Sequence, residues 1–104
     1  MTNKRHIFNA SFYTTEEYRS DWEAWLDEVF FPFVLEQVPG SSKEIFEVES
    51  DVNQEMLVFS VQIRCSTPAE LKTLQQESAP VFSRFRARFG ESVTNFNSVL
   101  IKID

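Results

Sequence analysis

An α+β sandwich, with four antiparallel strands and two helices on one face of the sheet, is predicted for this chain by two observations and one rule. Segments whose apolar residues recur every second position alternate with segments whose apolar residues recur every three or four. Each of the latter opens on a Thr-x-x-Glu pattern, the signature of a helix start. The resulting order is βαββαβ, and the right-handedness of strand–helix–strand crossovers leaves few sheets that can be built from it. The arrangement left is ferredoxin-like.

"HIFNASFY", residues 6 to 13, sets Phe8, Ala10 and Phe12 against Ile7, Asn9, Ser11 and Tyr13, and is the first strand. Thr14 and Glu17 form the first capping box, in which the hydroxyl accepts from the amide three residues on and the carboxylate reaches back. Tyr18, Trp22, Trp25, Leu26, Val29, Phe30 and Phe33 then make one apolar stripe, so the aromatic residues of "DWEAWLDEVFFPFVLEQ" are largely core. Phe31 has no place in that stripe. Pro32 lacks an amide proton and crowds the preceding turn, so the helix should bend or restart near Phe31.

"KEIFEVES" (43 to 50) and "EMLVFSVQIRC" (55 to 65) read as a hairpin joined by the polar "DVNQ". Leu57, Phe59, Val61, Ile63 and Cys65 give the third strand one wholly apolar face, which makes it central. Thr67-Pro68-Ala69-Glu70 is the second capping box, with Pro at the first helical position. Leu71, Leu74, Val81, Phe82, Phe85 and Phe89 form the stripe of the second helix; Pro80 is expected to kink it, and Gly90 to end it in a left-handed conformation. "SVTNFNSVLIKID" is the fourth strand, and its broken alternation between Phe96 and Val99 predicts a bulge or a change of face near Asn97.

The chain is expected to be one domain, residues 1–104, since 42% hydrophobic and 25% charged residues are ordinary for a globular protein; eleven phenylalanines are the one departure. A net charge of -6 opposes binding to phosphate backbones, so nucleic acid is not an expected partner. One cysteine, Cys65, and one histidine, His6, allow neither an internal disulfide nor a Cys/His zinc cluster in one chain, and no metal or cofactor is expected. Asn9 and Ser11 interrupt the apolar run near the start, which predicts neither a signal peptide nor a membrane helix and leaves the cytoplasm as the expected location.

With Phe8, Ala10 and Phe12 turned to the helices, the opposite sheet face carries Ile7, Asn9, Ser11 and Tyr13 from the first strand and Met56, Val58, Ser60, Gln62 and Arg64 from the third. A solvated sheet face is normally polar throughout. This mixture suits a face packed against a second copy with a few ordered polar groups between the two. A homodimer through the sheet is expected, with Asn9, Ser11, Tyr13 and Arg64 as the candidate ligand-binding residues.

"HIFNASFY" ahead of "EAWLDEVFFPFVLE", "MLVFSVQIRC" followed by "TPAELKTL", and above all "APVFSRFRARFGESVTNFNSVL" carry a resemblance over nearly the whole chain. In these segments the protein resembles the dimeric α/β-barrel superfamily and, within it, a family of small bacterial proteins known as a domain of unknown function. The resemblance implies the fold and a dimer; it brings no catalytic residues. The wider superfamily includes cofactor-independent monooxygenases and haem-degrading enzymes, and the latter are similar to this chain at Asn9 alone. Their His on the second helix and Trp on the third strand have no counterpart here, since Trp22 and Trp25 belong to the first helix.

Other candidates have ordinary structural readings. His6 shares the parity of Phe8, away from Asn9, and reads as exposed or capping, because a general base needs a nucleophile or metal beside it. Cys65 has core parity and reads as a buried thiol. Arg84, Arg86 and Arg88 could capture a carboxylate or phosphate, but cations in the last turns of a helix complement its dipole, and Arg84 and Arg88 are expected to reach acidic groups of the same chain or its mate. An RNA-stacking sheet would need paired aromatics and a basic surround, and the face read from the first and third strands has neither, leaving Tyr13 almost alone. Two functions remain: a non-catalytic homodimeric module that binds a partner or small ligand, and a cofactor-independent, monooxygenase-like enzyme for a small aromatic substrate. The second requires a cavity between helices and sheet lined by Asn9, Ser11 or Tyr13.

Overall fold

A computed structural model of the chain describes residues 4–49 and 55–104. Strand β1 runs His6–Thr14, helix α1 Glu16–Trp25, a π-helical turn Leu26–Phe30 and helix α2 Phe31–Gln37. Strand β2 (Ser42–Val48), strand β3 (Leu57–Cys65), helix α3 (Pro68–Phe89) and strand β4 (Val93–Ile101) complete the order. The sheet order is β2-β3-β1-β4, antiparallel throughout, so β3 and β1 are central as their apolar faces require. The "DVNQ" connection of the expected hairpin lies outside the described residues, while its two strands pair from Ser42 opposite Arg64 to Val48 opposite Val58.

The layer between helices and sheet is packed with aromatic rings. Phe8, Phe12, Phe59, Val61 and Ile63 of the sheet meet Trp22, Trp25, Phe30, Phe82 and Phe85, all buried. Trp25 lies 4.6 Å from Phe85 and 5.4 Å from Phe30 between ring centroids, and Trp22 stacks on Phe59 at 4.6 Å. Such pairs add about 0.5–1.5 kcal/mol each to the burial of their area.

Three local expectations are corrected. Thr14 caps nothing: it is the last residue of β1, paired with Leu57 and Val93, and its hydroxyl donates to the carbonyl of Thr15. The N-cap is Thr15, which makes no side-chain cap hydrogen bond, because the sheet holds Thr14 one residue longer than a capping box would allow. The strand β4 contains no bulge; its pairing with β1 is unbroken from Val93 opposite Thr14 to Ile101 opposite His6. The irregular alternation arises because β4 is an edge strand that the helices cover only at Val93, so Asn95, Asn97, Val99 and Ile101 need not be uniformly apolar. The first helix does restart at Phe31, and the means is the π turn: the Phe31 amide donates to the carbonyl of Leu26. Widening the turn ahead of Pro32 gives the ring room against the carbonyls behind it, and the extra residue rotates the next turns of the helix. Phe31 and Val34 therefore enter the core, and Val29, expected in the stripe, is turned out to 37% exposure.

The second capping box is made as expected. Thr67 Oγ1 accepts from the Glu70 amide (3.1 Å), and Glu70 Oε1 accepts from the amides of Thr67 (3.2 Å) and Ser66 (2.8 Å). The helix α3 runs unbroken through Pro80, with every residue of its expected stripe buried, and closes at Gly90, whose φ of 56° an L side chain would resist.

Candidate functional site

The sheet face turned away from the helices is built in rows across the four strands. Ser42, Arg64, Ile7 and Leu100 make one row; Glu44, Gln62, Asn9 and Ser98 the next; then Phe46, Ser60, Ser11 and Phe96; then Val48, Val58, Tyr13 and Thr94. The two central rows place small hydroxyl and amide groups in the middle. Phe46 and Phe96 stand at the edges, and Val48, Tyr13 and Leu100 complete an exposed apolar rim.

Asn9 is the hub of this centre, 9% exposed although no second layer covers it. Its Oδ1 accepts from Ser60 Oγ at 2.5 Å, and its Nδ2 donates to Ser11 Oγ (3.2 Å) and Ser98 Oγ (3.3 Å). Gln62 Nε2 donates in turn to Ser60 Oγ at 3.4 Å. Ser11 and Ser98 thus accept from Asn9 and keep their hydroxyl protons for an outside acceptor, while Asn9 Oδ1 has one lone pair left. The centre is uncharged and offers both donors and acceptors, which suits carbonyl or hydroxyl groups better than ions.

Of the four candidates, the structure brings Asn9 and Ser11 into direct contact and puts Tyr13 one row further along the same face. Arg64 is also on this face, but its guanidinium is held by the Glu44 carboxylate of β2, so it offers no free charge to the centre. Parity alone had placed Ser60 and Gln62 here; Ser98 and Glu44 come in through the registers of β4 and β2, which no local pattern reveals.

Among the described residues, Asn9, Ser11 and Tyr13 line no cavity between helices and sheet. Those three side chains share a parity opposite to that of Phe8 and Phe12, which pack into the aromatic core. His6 sits on the helix side, paired with Cys65 and Ile101, half-buried and away from Asn9. Cys65 is fully buried, and burial, assisted by the Glu70 carboxylate, pushes its thiol up to about 11, so it is neutral and unreactive at physiological pH. Arg84, Arg86 and Arg88 are exposed; none reaches an acidic group among the described residues, and Arg88 lies over the Phe89 ring at 5.0 Å. Among the described residues no three His, Cys, Asp or Glu side chains are placed to hold a metal, and no helix is long and apolar enough to cross a membrane.

Solved structures share this architecture at low identity. A de novo designed protein, LFR1 1, with a ferredoxin fold matches with a TM-score of 0.57 and 13% identity, over 96% of this chain and 88% of the other. SnoaB, a cofactor-independent oxygenase from Streptomyces nogalater, matches with a TM-score of 0.53 and 8% identity, over 96% and 95%. An ethyl tert-butyl ether d (EthD) family protein from Bacillus halodurans matches with a TM-score of 0.52 and 10% identity, over 89% and 96%. These likenesses show the ferredoxin-like fold and nothing of the chemistry. No curated protein sequence matches the chain. The family model described as Domain of unknown function (DUF4286) matches residues 5–103, nearly the whole sequence, and it is to this family that the chain belongs.

Proposed function

We propose that the protein is a non-catalytic homodimeric binding module that buries its open sheet face against a second copy and holds a small uncharged polar ligand, or ordered water, at the Asn9 centre. The observation that carries this reading is the pattern of the face, an uncharged hydrogen-bonded centre enclosed by exposed Phe46, Val48, Tyr13, Phe96 and Leu100. Five large apolar side chains exposed on one sheet face make the kind of apolar patch that marks an interaction surface.

Shape supports a second copy as the occupant. The molecule measures 41 × 30 × 18 Å, a slab of one sheet and one helix layer, and two such slabs stacked sheet to sheet would be nearly as thick as one is long. Sedimentation velocity across the micromolar range is expected to show a dimer. Val58→Asp or Met56→Lys should yield folded monomers; dimers in both variants would exclude this face.

The enzyme reading rests on the fold likeness to SnoaB, a cofactor-independent oxygenase. On this chain such chemistry at Asn9, Ser11 or Tyr13 would have to lie between two sheets, since these side chains face away from the helices. Oxygen uptake with small dihydroxyarenes as substrates separates the readings: none is expected, and turnover abolished by Asn9→Ala would establish the enzyme.

A further inference from the structure

On the helix side of the sheet, β4 and α3 stand apart and leave a cleft of about 280 Å³. We propose that this cleft is a binding site for a small organic carboxylate, separate from the Asn9 centre and still open when the other face is covered. Its floor is apolar, formed by Phe8, Phe82 and Ala79, and the Phe8 and Phe82 rings stack at 6.3 Å with 25° between planes. Its walls carry Gln75 and Arg86 from α3 and Asn97 from β4, and no acidic side chain lines it, in a chain with 16 Asp and Glu against 10 Lys and Arg.

The hydrogen bonds leave these groups free to take an anion. The carbonyl of Ser11 can only accept, so the atom of Asn95 that bonds it at 3.1 Å is Nδ2. The same Nδ2 donates to Asn97 Oδ1 at 2.9 Å, which fixes the Asn97 amide with its oxygen toward Asn95 and leaves its NH₂ without a partner among the described residues. Arg86 has no carboxylate within ion-pair distance among the described residues. A planar guanidinium and an amide donor beside an apolar floor match a carboxylate carried on a flat or short aliphatic body, since Arg binds carboxylate bidentately and the floor takes the remainder. The volume is just below the range of about 300–1,000 Å³ typical of drug-sized ligands, which fits a small acid. Arg86 and Arg88 both lie in the last turn of α3, where a cation complements the helix dipole, but of Arg84, Arg86 and Arg88 only Arg86 lines this cleft.

The test is a ¹H–¹⁵N correlation titration of the intact protein with benzoate, and with benzamide as its uncharged match. Benzoate should give saturable shifts centred on Gln75, Ala79 and Asn97. Arg86→Gln should weaken binding about tenfold or more, as loss of a charge-assisted pair implies, and Asn97→Asp should weaken it through like charge. Arg84→Gln should leave it unchanged. Shifts that do not saturate, benzamide bound as tightly as benzoate, or Arg84→Gln as damaging as Arg86→Gln would each overturn the site. All three variants alter exposed side chains, and their wild-type-like spectra without ligand would report an intact fold.

Discussion

On the covered side of β1, Phe8, Ala10 and Phe12 are sealed under aromatic rings; on the open side of the same strand, Asn9 and Ser11 join a hydrogen-bonded cluster with apolar residues around it. Each side is made by alternate residues of one segment, so the strand period separates the two chemistries completely. The covered side is stabilised by area removed from water and by ring packing, which tolerates no missing volume. The open side is held by directional bonds among small polar groups, whose worth depends on whether water can replace them. Parity thus decides which residues share a face, while the polarity along each row decides what that face will accept.

The covered side should break first and hardest. Trp25→Ala removes a ring that touches Phe12, Phe30, Phe82 and Phe85, and should cost about 3–5 kcal/mol in urea denaturation. A near-wild-type midpoint would mean that the core is not packed as described. On the open side, Asn9→Ala strands Ser60, Ser11 and Ser98 and should cost about 1–3 kcal/mol if a second layer keeps water away. A loss of only a few tenths would show that the cluster is hydrated.

The two helix starts set directional bonds that are made against those that are not. Thr67→Ala should cost about 1 kcal/mol because its hydroxyl caps α3, whereas Thr15→Ala should change the midpoint little because its hydroxyl caps nothing. Equal losses would refute the assignment of caps. The smallest effect is confined to alkaline solution. Burial holds the folded Cys65 thiol at about 11, above its ordinary value of 9.0, so on raising the pH the unfolded chain loses this proton first and stability falls between those limits. Cys65→Ala should lose less stability than wild type across that window and match its pH profile at neutrality.

Much of the fold was legible because its signals are local. Thr67 to Glu70, Gly90, the Phe82 and Phe85 stripe and the alternation of β1 and β3 each depend on neighbours a few residues away. What the pattern hid depends on distant contacts. Thr14 satisfies a capping motif as well as Thr67 does, yet two strands claim it. The π turn that admits Phe31 is a response to Pro32 and to the core beneath, invisible to a stripe drawn at constant pitch. In the candidate site, Asn9 and Ser11 were found by parity. Their partner Ser98 lies 89 residues from Asn9, and Arg64 is ion-paired with Glu44 through a register set by the β2–β3 pairing.

Whether the open face exists to be covered by a second copy is decided by light scattering of wild type and Phe96→Glu after gel filtration. Phe96 is 64% exposed, so the charge costs the folded monomer little, yet it would sit inside the proposed interface. Wild type is expected at twice the chain mass of 12.2 kDa and the variant at that mass, with matching circular dichroism. A wild-type monomer at tens of micromolar, or a variant that remains fully dimeric, would rule out the sheet-face dimer.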